Sequence, residues 1–278
     1  MSMKYLELGG IRWAYREQGQ GPLVVMSHGT FLDHSLWDTL AASLSDRYRC
    51  VQLDLPGHGQ SGYWPQGWSV ADLVKLYPQL ITALGETQAT LIGLSIGGAI
   101  SLRVAAEHPE CVNALVYMDA AVDTPTPAAV AGLRGLAQQL ATLTDEQERA
   151  ALLSTEPFRR LMHSPGWHAE NPELAAHELK VQLSHARPAY PFLAGVVASI
   201  NPMSERLSEV RCPVLALFGA DDPGVIWADV IRKGIPSASV QVVPNAGHHL
   251  PFDQPEQCAN IVNAFLNGLG GVDGATKS

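Results

Sequence analysis

The chain has 278 residues, 46% of them hydrophobic and 16% charged, and a formal net charge of -9, which suits one large domain with a substantial core. No apolar run is long enough to span a bilayer, and no basic block offers the clustered Lys and Arg that nucleic-acid phosphates require, so a soluble protein acting on small molecules is expected. The start, MSMKYLELGG, has no basic segment leading into an apolar core, which places the chain in the cytoplasm by default.

In chain order, β-rich runs stand at Lys4 to Leu8, Ile11 to Tyr15, Leu23 to Ser27 and Arg49 to Leu53, with a helix at Trp37 to Leu44 between the last two. A helix at Ser69 to Leu84 follows, its start marked by Ser69 and Asp72 in the spacing of a capping box. Strands at Ala89 to Ile92 and Ala114 to Met118 flank a helix at Ile96 to Glu107. The rhythm breaks from 122 to 207, a stretch rich in Ala, Leu, Gln and Glu with Pro at its joints and no alternating strand, which reads as an inserted helical cap. Strands return at Val214 to Phe218 and Ser239 to Val243, with helices at Gly224 to Lys233 and Pro255 to Asn267. The fold class is therefore α/β: an eight-stranded, mostly parallel sheet with helices on both faces. Its core covers 1–121 and 208–269, and the small, polar residues 270–278 form a disordered tail.

Cys50, Cys111, Cys212 and Cys258 are scattered without C-x-x-C spacing and read as buried free thiols. No ligand cluster with metal spacing stands in the sequence, so neither a metal nor an organic cofactor is expected.

One stretch carries chemistry. Gly93-Leu94-Ser95-Ile96-Gly97 lies between a strand and a helix, so the Ser95 hydroxyl sits on a tight reversal at the carboxyl edge of the sheet, above the free N–H groups of the next helix. The plainer reading is a serine N-cap in a glycine-rich turn. A serine hydroxyl is barely nucleophilic at neutral pH and requires a base and a group to orient that base. Two later strands end in suitable loops: GADDPG offers Asp221 and Asp222, and NAGHHLPFDQP offers His248 and His249.

With SHGT (27–30), DLPGHGQS (54–61), GLSIGG (93–98), GADDP (219–223) and GHHLPFDQP (247–255) in this order, the chain resembles the α/β-hydrolase superfamily from about residue 4 to residue 268. The resemblance implies that Ser95 is the nucleophile, Asp222 the acid and His248 the base. It also implies an oxyanion hole from the backbone N–H groups of Thr30 and Ile96, with Phe31 as the alternative to Thr30. The Thr30 hydroxyl would add a third donor or tie down its loop. Asp54, His58 and His28 fall in motifs that hold loops in this family, and Asp119 and Asp123 follow the strand where some relatives keep their acid.

A serine nucleophile separates the chain from haloalkane dehalogenases and epoxide hydrolases, which attack with Asp. HGTFLDHSLWD together with GLSIGG looks similar to enol-lactone hydrolases. The reading is a hydrolase of a small to medium, largely apolar ester or lactone, with Phe31, Leu94, Trp167 and Trp227 as candidate pocket walls. The fold is shared with thioesterases, carbon–carbon bond hydrolases, perhydrolases and non-catalytic ligand receptors.

Overall fold

The computed structural model describes residues 2–63 and 68–270. Eight strands form one sheet in the order β1-β2-β4-β3-β5-β6-β7-β8: β1 Lys4–Leu8, β2 Ile11–Gln18, β3 Leu23–Ser27, β4 Arg49–Asp54, β5 Ala89–Leu94, β6 Val112–Met118, β7 Val214–Gly219 and β8 Ser239–Val243. β2 pairs antiparallel with β1 and β4, and every later pairing is parallel. Each strand expected from sequence is present, several of them extended by one to three residues.

The central strands are buried along their whole length because helices cover both faces, and this is why β3, β5 and β7 read as continuous apolar runs. Side chains still alternate between two cores. Leu23 and Val25 face α2 (Val70–Ala83) and α3 (Ile96–Glu107), whereas Val24 and Met26 face α1 (Asp38–Leu44) and the carboxyl-terminal helix. α3 is buried all round, from Ile96 to Ala106. Ser69 and Asp72 form the expected capping box at the start of α2.

Between β6 and β7 the chain forms six helices: α4 Pro127–Thr142, α5 Glu146–Leu153, α6 Glu156–Met162, α7 Trp167–Glu170, α8 Pro172–Ser184 and α9 Ala189–Ala198. Leu140, Leu153, Tyr190 and Leu193 gather there around Phe31, which reaches up from the loop after β3. Both ends of the insertion are tied to α3 by the buried Arg103, whose guanidinium donates to the carbonyls of Val122 and Asn201 and to the Asn201 side chain.

α10 (Trp227–Gly234), α11 (Leu250–Asp253) and α12 (Pro255–Gly270) complete the fold. The helix expected from Gly224 begins as a short 3-10 turn at Pro223–Ile226, and the one expected from Trp37 follows a similar turn at His34–Trp37. α12 continues to Gly270, and the rest of the expected tail, 271–278, lies outside the described residues. Cys50, Cys111 and Cys258 are buried and free, whereas Cys212 is free but only half-buried. No described helix is long and apolar enough to cross a membrane.

Candidate active site

Parallel strands deliver their carboxyl ends to one edge of the sheet, so the loops after β3, β5, β7 and β8 meet there. Ser95 stands at the turn from β5 into α3 with φ 54° and ψ -118°, a backbone conformation a non-glycine residue rarely adopts. The turn closes this tightly because Gly93 and Gly97 have no side chains: a Cβ on Gly97 would stand 2.1 Å from the Ser27 carbonyl oxygen, and one on Gly93 would stand 2.4 Å from the oxygen of Gly97. The Ser95 side chain makes no capping bond to α3, which argues against the plain N-cap reading.

Its partner is His248. The Nε2 atom of His248 lies 2.9 Å from Ser95 Oγ, and its Nδ1 lies 3.1 Å from Asp222 Oδ2. Burial works to raise the Asp222 pKa, but the charge and hydrogen bond of His248, with the Gly224 N–H, outweigh it and hold the carboxyl below its ordinary value. Asp222 is thus an anion buried behind an imidazole. Asp221, its neighbour, is exposed. Asp119, at the end of β6, accepts the Gly219 N–H at 2.7 Å, and burial and the Asp222 charge push its pKa well up. Asp123 accepts the N–H groups of Met203 and Ser204.

The loop after β3 is aimed by His28. Its Nδ1 donates to the Gly29 carbonyl at 2.7 Å while its Nε2 accepts the Leu55 N–H at 3.0 Å, an arrangement that requires the neutral ring. Because carbonyl and N–H point oppositely across a trans peptide, holding the Gly29 oxygen turns the Thr30 N–H the other way. Neither the Thr30 nor the Ile96 N–H has a hydrogen-bond acceptor among the described residues. Both residues line one small hollow, with Leu55, Leu73, Ile100 and Leu193 among its apolar walls. His58 also borders it. Asp54 accepts from the His34 and Gln60 backbones and ties the loops after β3 and β4 together.

The structure places the four walls expected from sequence outside this lining. Leu94 is buried beneath the elbow, Phe31 packs edge-on to Tyr190 at 5.4 Å, Trp227 is half-buried against the sheet, and Trp167 stacks on His163 at 3.7 Å. The short helices α7 and α10 turn both tryptophans toward the core instead. The hollow's walls come from the DLPGHG segment, α2, α3 and α9, positions where a Leu or Ile looks like any other core residue in the sequence.

A larger hollow lies among α5, α6 and α8, with His163 and Glu178 in its lining. Two sets of ligand-type atoms converge within 4.8 Å: His163, Glu178 and His249, and also Asp33, His34 and Asp54. Sequence spacing revealed neither: the first set joins residues of separate segments, and in the second Asp54 stands on β4, 20 residues beyond His34. Their donors and acceptors are already engaged: Glu178 bonds to His163 and His249, Asp54 to His34, and Asp33 to Ser35.

A family model described as the alpha/beta hydrolase family matches residues 24–261. Among curated proteins, the pimeloyl-[acyl-carrier protein] methyl ester esterase of Nitrosomonas europaea is 28% identical over 89% of this chain and 96% of its own. A monoacylglycerol lipase of Xenopus laevis is 24% identical over 100% of this chain and 86% of its own. Among solved structures, a thermophilic esterase from Thermogutta terrifontis superposes with a TM-score of 0.85 at 23% identity, covering 97% of this chain and 99% of that one. The enol-lactonase from Burkholderia xenovorans LB400 gives a TM-score of 0.83 at 20% identity, covering 95% of this chain and 100% of that one.

Proposed function

The chain belongs to the alpha/beta hydrolase family, and from that premise we propose that it is a serine hydrolase that cleaves a small to medium, largely apolar carboxylic ester or lactone through an acyl-enzyme. The observation that carries the reading is the 2.9 Å contact between His248 Nε2 and the hydroxyl of Ser95 on its strained turn, with Asp222 behind the ring.

In this mechanism His248 Nε2 takes the Ser95 proton as Oγ attacks the acyl carbon, and Asp222 fixes the tautomer and balances the imidazolium. The tetrahedral oxyanion is held by the N–H groups of Thr30 and Ile96, each contributing a few kcal/mol when aligned beforehand. His248 then gives its proton to the leaving alcohol, and the acyl group stays on Ser95. In the second half His248 activates a water, which releases the acid and restores the serine. The apolar lining of the hollow supports an apolar acyl or alkyl group, and the esterase relative in Nitrosomonas supports ester chemistry.

The test is turnover of a panel of chromogenic short-chain esters, lactones and thioesters by wild type and Ser95→Ala. Expected is ester or lactone hydrolysis that falls about a thousandfold or more in the variant, with Asp222→Asn costing roughly ten-thousandfold. Hydrolysis that survives Ser95→Ala, or tight ligand binding with no turnover at all, overturns the reading.

A further inference from the structure

Behind His248 lies a set of buried ionisable side chains that the proposed reaction does not use. His163 Nε2 donates to Glu178 Oε2 at 2.7 Å and its Nδ1 to Asp253 Oδ1 at 2.5 Å. His249 Nδ1 and Gln182 Nε2 both donate to Glu178 Oε1, at 2.7 and 2.9 Å. His163, Glu178, His249 and Asp253 are each at least 92% buried. Burial alone lowers the His163 pKa, but its two carboxylate partners reverse this and lift it to about 9. Burial likewise works to raise Glu178, and the charges and hydrogen bonds of His249 and His163 hold it well below its ordinary value instead. The set is therefore an imidazolium clasped by two carboxylates, one of which also grips the neutral side of His249.

Its position matters more than its charge. His248 sits in the irregular segment between β8 and α11, with no strand or helix of its own to hold it. That segment is anchored by the His249 N–H to the Met162 carbonyl at 2.8 Å, by the His249 ring to Glu178, and by the Gly247 N–H to Asp253 Oδ2 at 2.7 Å. Asp253 is itself held by His163 and by the Ser164 N–H at 2.8 Å. Met162, His163, Ser164 and Glu178 all belong to the insertion. Trp167 stacks flat on His163 and fixes its ring.

We propose that Glu178 is a positioning residue for His248: through His249 it sets the place of the imidazole opposite Ser95, so that the insertion completes the active site as well as covering it. The inference rests on the serine-hydrolase reading. A misplacement of about 1 Å at a reacting group costs on the order of a hundredfold in rate, so the grip has measurable leverage.

The experiment compares wild type, Glu178→Gln, Gln182→Leu and Leu140→Ala on one chromogenic ester, with the thermal midpoint of each and the rate at which a fluorophosphonate labels Ser95. Glutamine keeps the size of Glu178 but turns an N–H donor against one of two histidine donors. Expected for Glu178→Gln is a ten- to hundredfold fall in kcat with KM within about twofold, and labelling slowed in parallel. Gln182→Leu, which loosens the same carboxylate without unseating it, lowers kcat a few-fold. Leu140→Ala lowers the midpoint through α4 and leaves kcat in place. Wild-type kcat in a folded Glu178→Gln overturns the inference, as does an equal kcat loss in Leu140→Ala at matched destabilisation. If Glu178→Gln does not fold, Gln182→Leu decides alone. A wild type that hydrolyses no ester sinks the hydrolase reading instead, and the two failures are told apart by that control.

Discussion

Ser95 holds φ 54° and ψ -118°, and a non-glycine residue in such a region costs about 1–3 kcal/mol. That strain separates two substitutions that both remove the hydroxyl. Ser95→Ala keeps the Cβ and the strain, whereas Ser95→Gly removes both, so the glycine variant is expected to be the more stable of the two by about 1 kcal/mol, reversing the usual order of Ala and Gly. Calorimetry of the two variants checks this; an alanine variant as stable as the glycine one means the turn is relaxed. The same turn explains why this part of the site was legible in the sequence. Ser95, Asp222 and His248 each follow a recognisable β-run, and parallel strands carry the ends of such runs to one place. Glu178 carried no such signal, since its partner His249 lies 71 residues away and the helix that bears it follows no strand. Trp167 and Trp227 misled because bulk and apolarity do not reveal which way a short helix turns its side chains.

The central strands were legible because burial on both faces demands unbroken apolar runs, and the insertion was legible only as helical. Its internal boundaries were hidden because α8 buries Glu178 and Gln182 along with Val181, so polar letters mark buried positions there and the helical periodicity is blurred. What holds the insertion in place was also invisible. Arg103 on α3, 1% exposed, reaches both of its ends at Val122 and Asn201, and burial lowers its pKa to about 10, which leaves it charged at neutral pH. Replacing Arg103 with Met keeps the bulk of the stem but takes the guanidinium donor from the carbonyls of Val122 and Asn201. The expected loss is on the order of 2–4 kcal/mol, together with faster amide exchange across 122–201 than in the sheet. A uniform change in exchange over the whole chain, or none, contradicts this role.

At the scale of the whole molecule, the buried histidines set the pH range in which the fold is stable. His58 and His185 are pushed down by burial and by neighbouring imidazole charge, His185 to about 4, and burial also lowers His28. These rings stand together, His28 4.7 Å from His58 and His58 5.2 Å from His185. Unfolded, each takes a proton near pH 6.5, so the unfolded chain binds more protons than the fold below that point, and stability drains away as pH falls from about 6.5 toward 4. His163 has the opposite sign. Its pKa is raised to about 9, so its contribution is complete below about 6.5 and is lost as pH climbs through 9. Each of these two shifts corresponds to something on the order of 3 kcal/mol when fully expressed. The urea midpoint is therefore expected to peak near pH 6.5 and fall on both sides. His185→Leu should flatten the acid side by about 3 kcal/mol while leaving the alkaline side as it was, because a leucine has no proton to gain on unfolding. Chemical denaturation at half-unit steps from pH 4 to 9.5 measures both limbs. An acid limb as steep in His185→Leu as in wild type assigns the loss to carboxylates such as Asp54, whose pKa stays low because the His34 and Gln60 hydrogen bonds outweigh its burial.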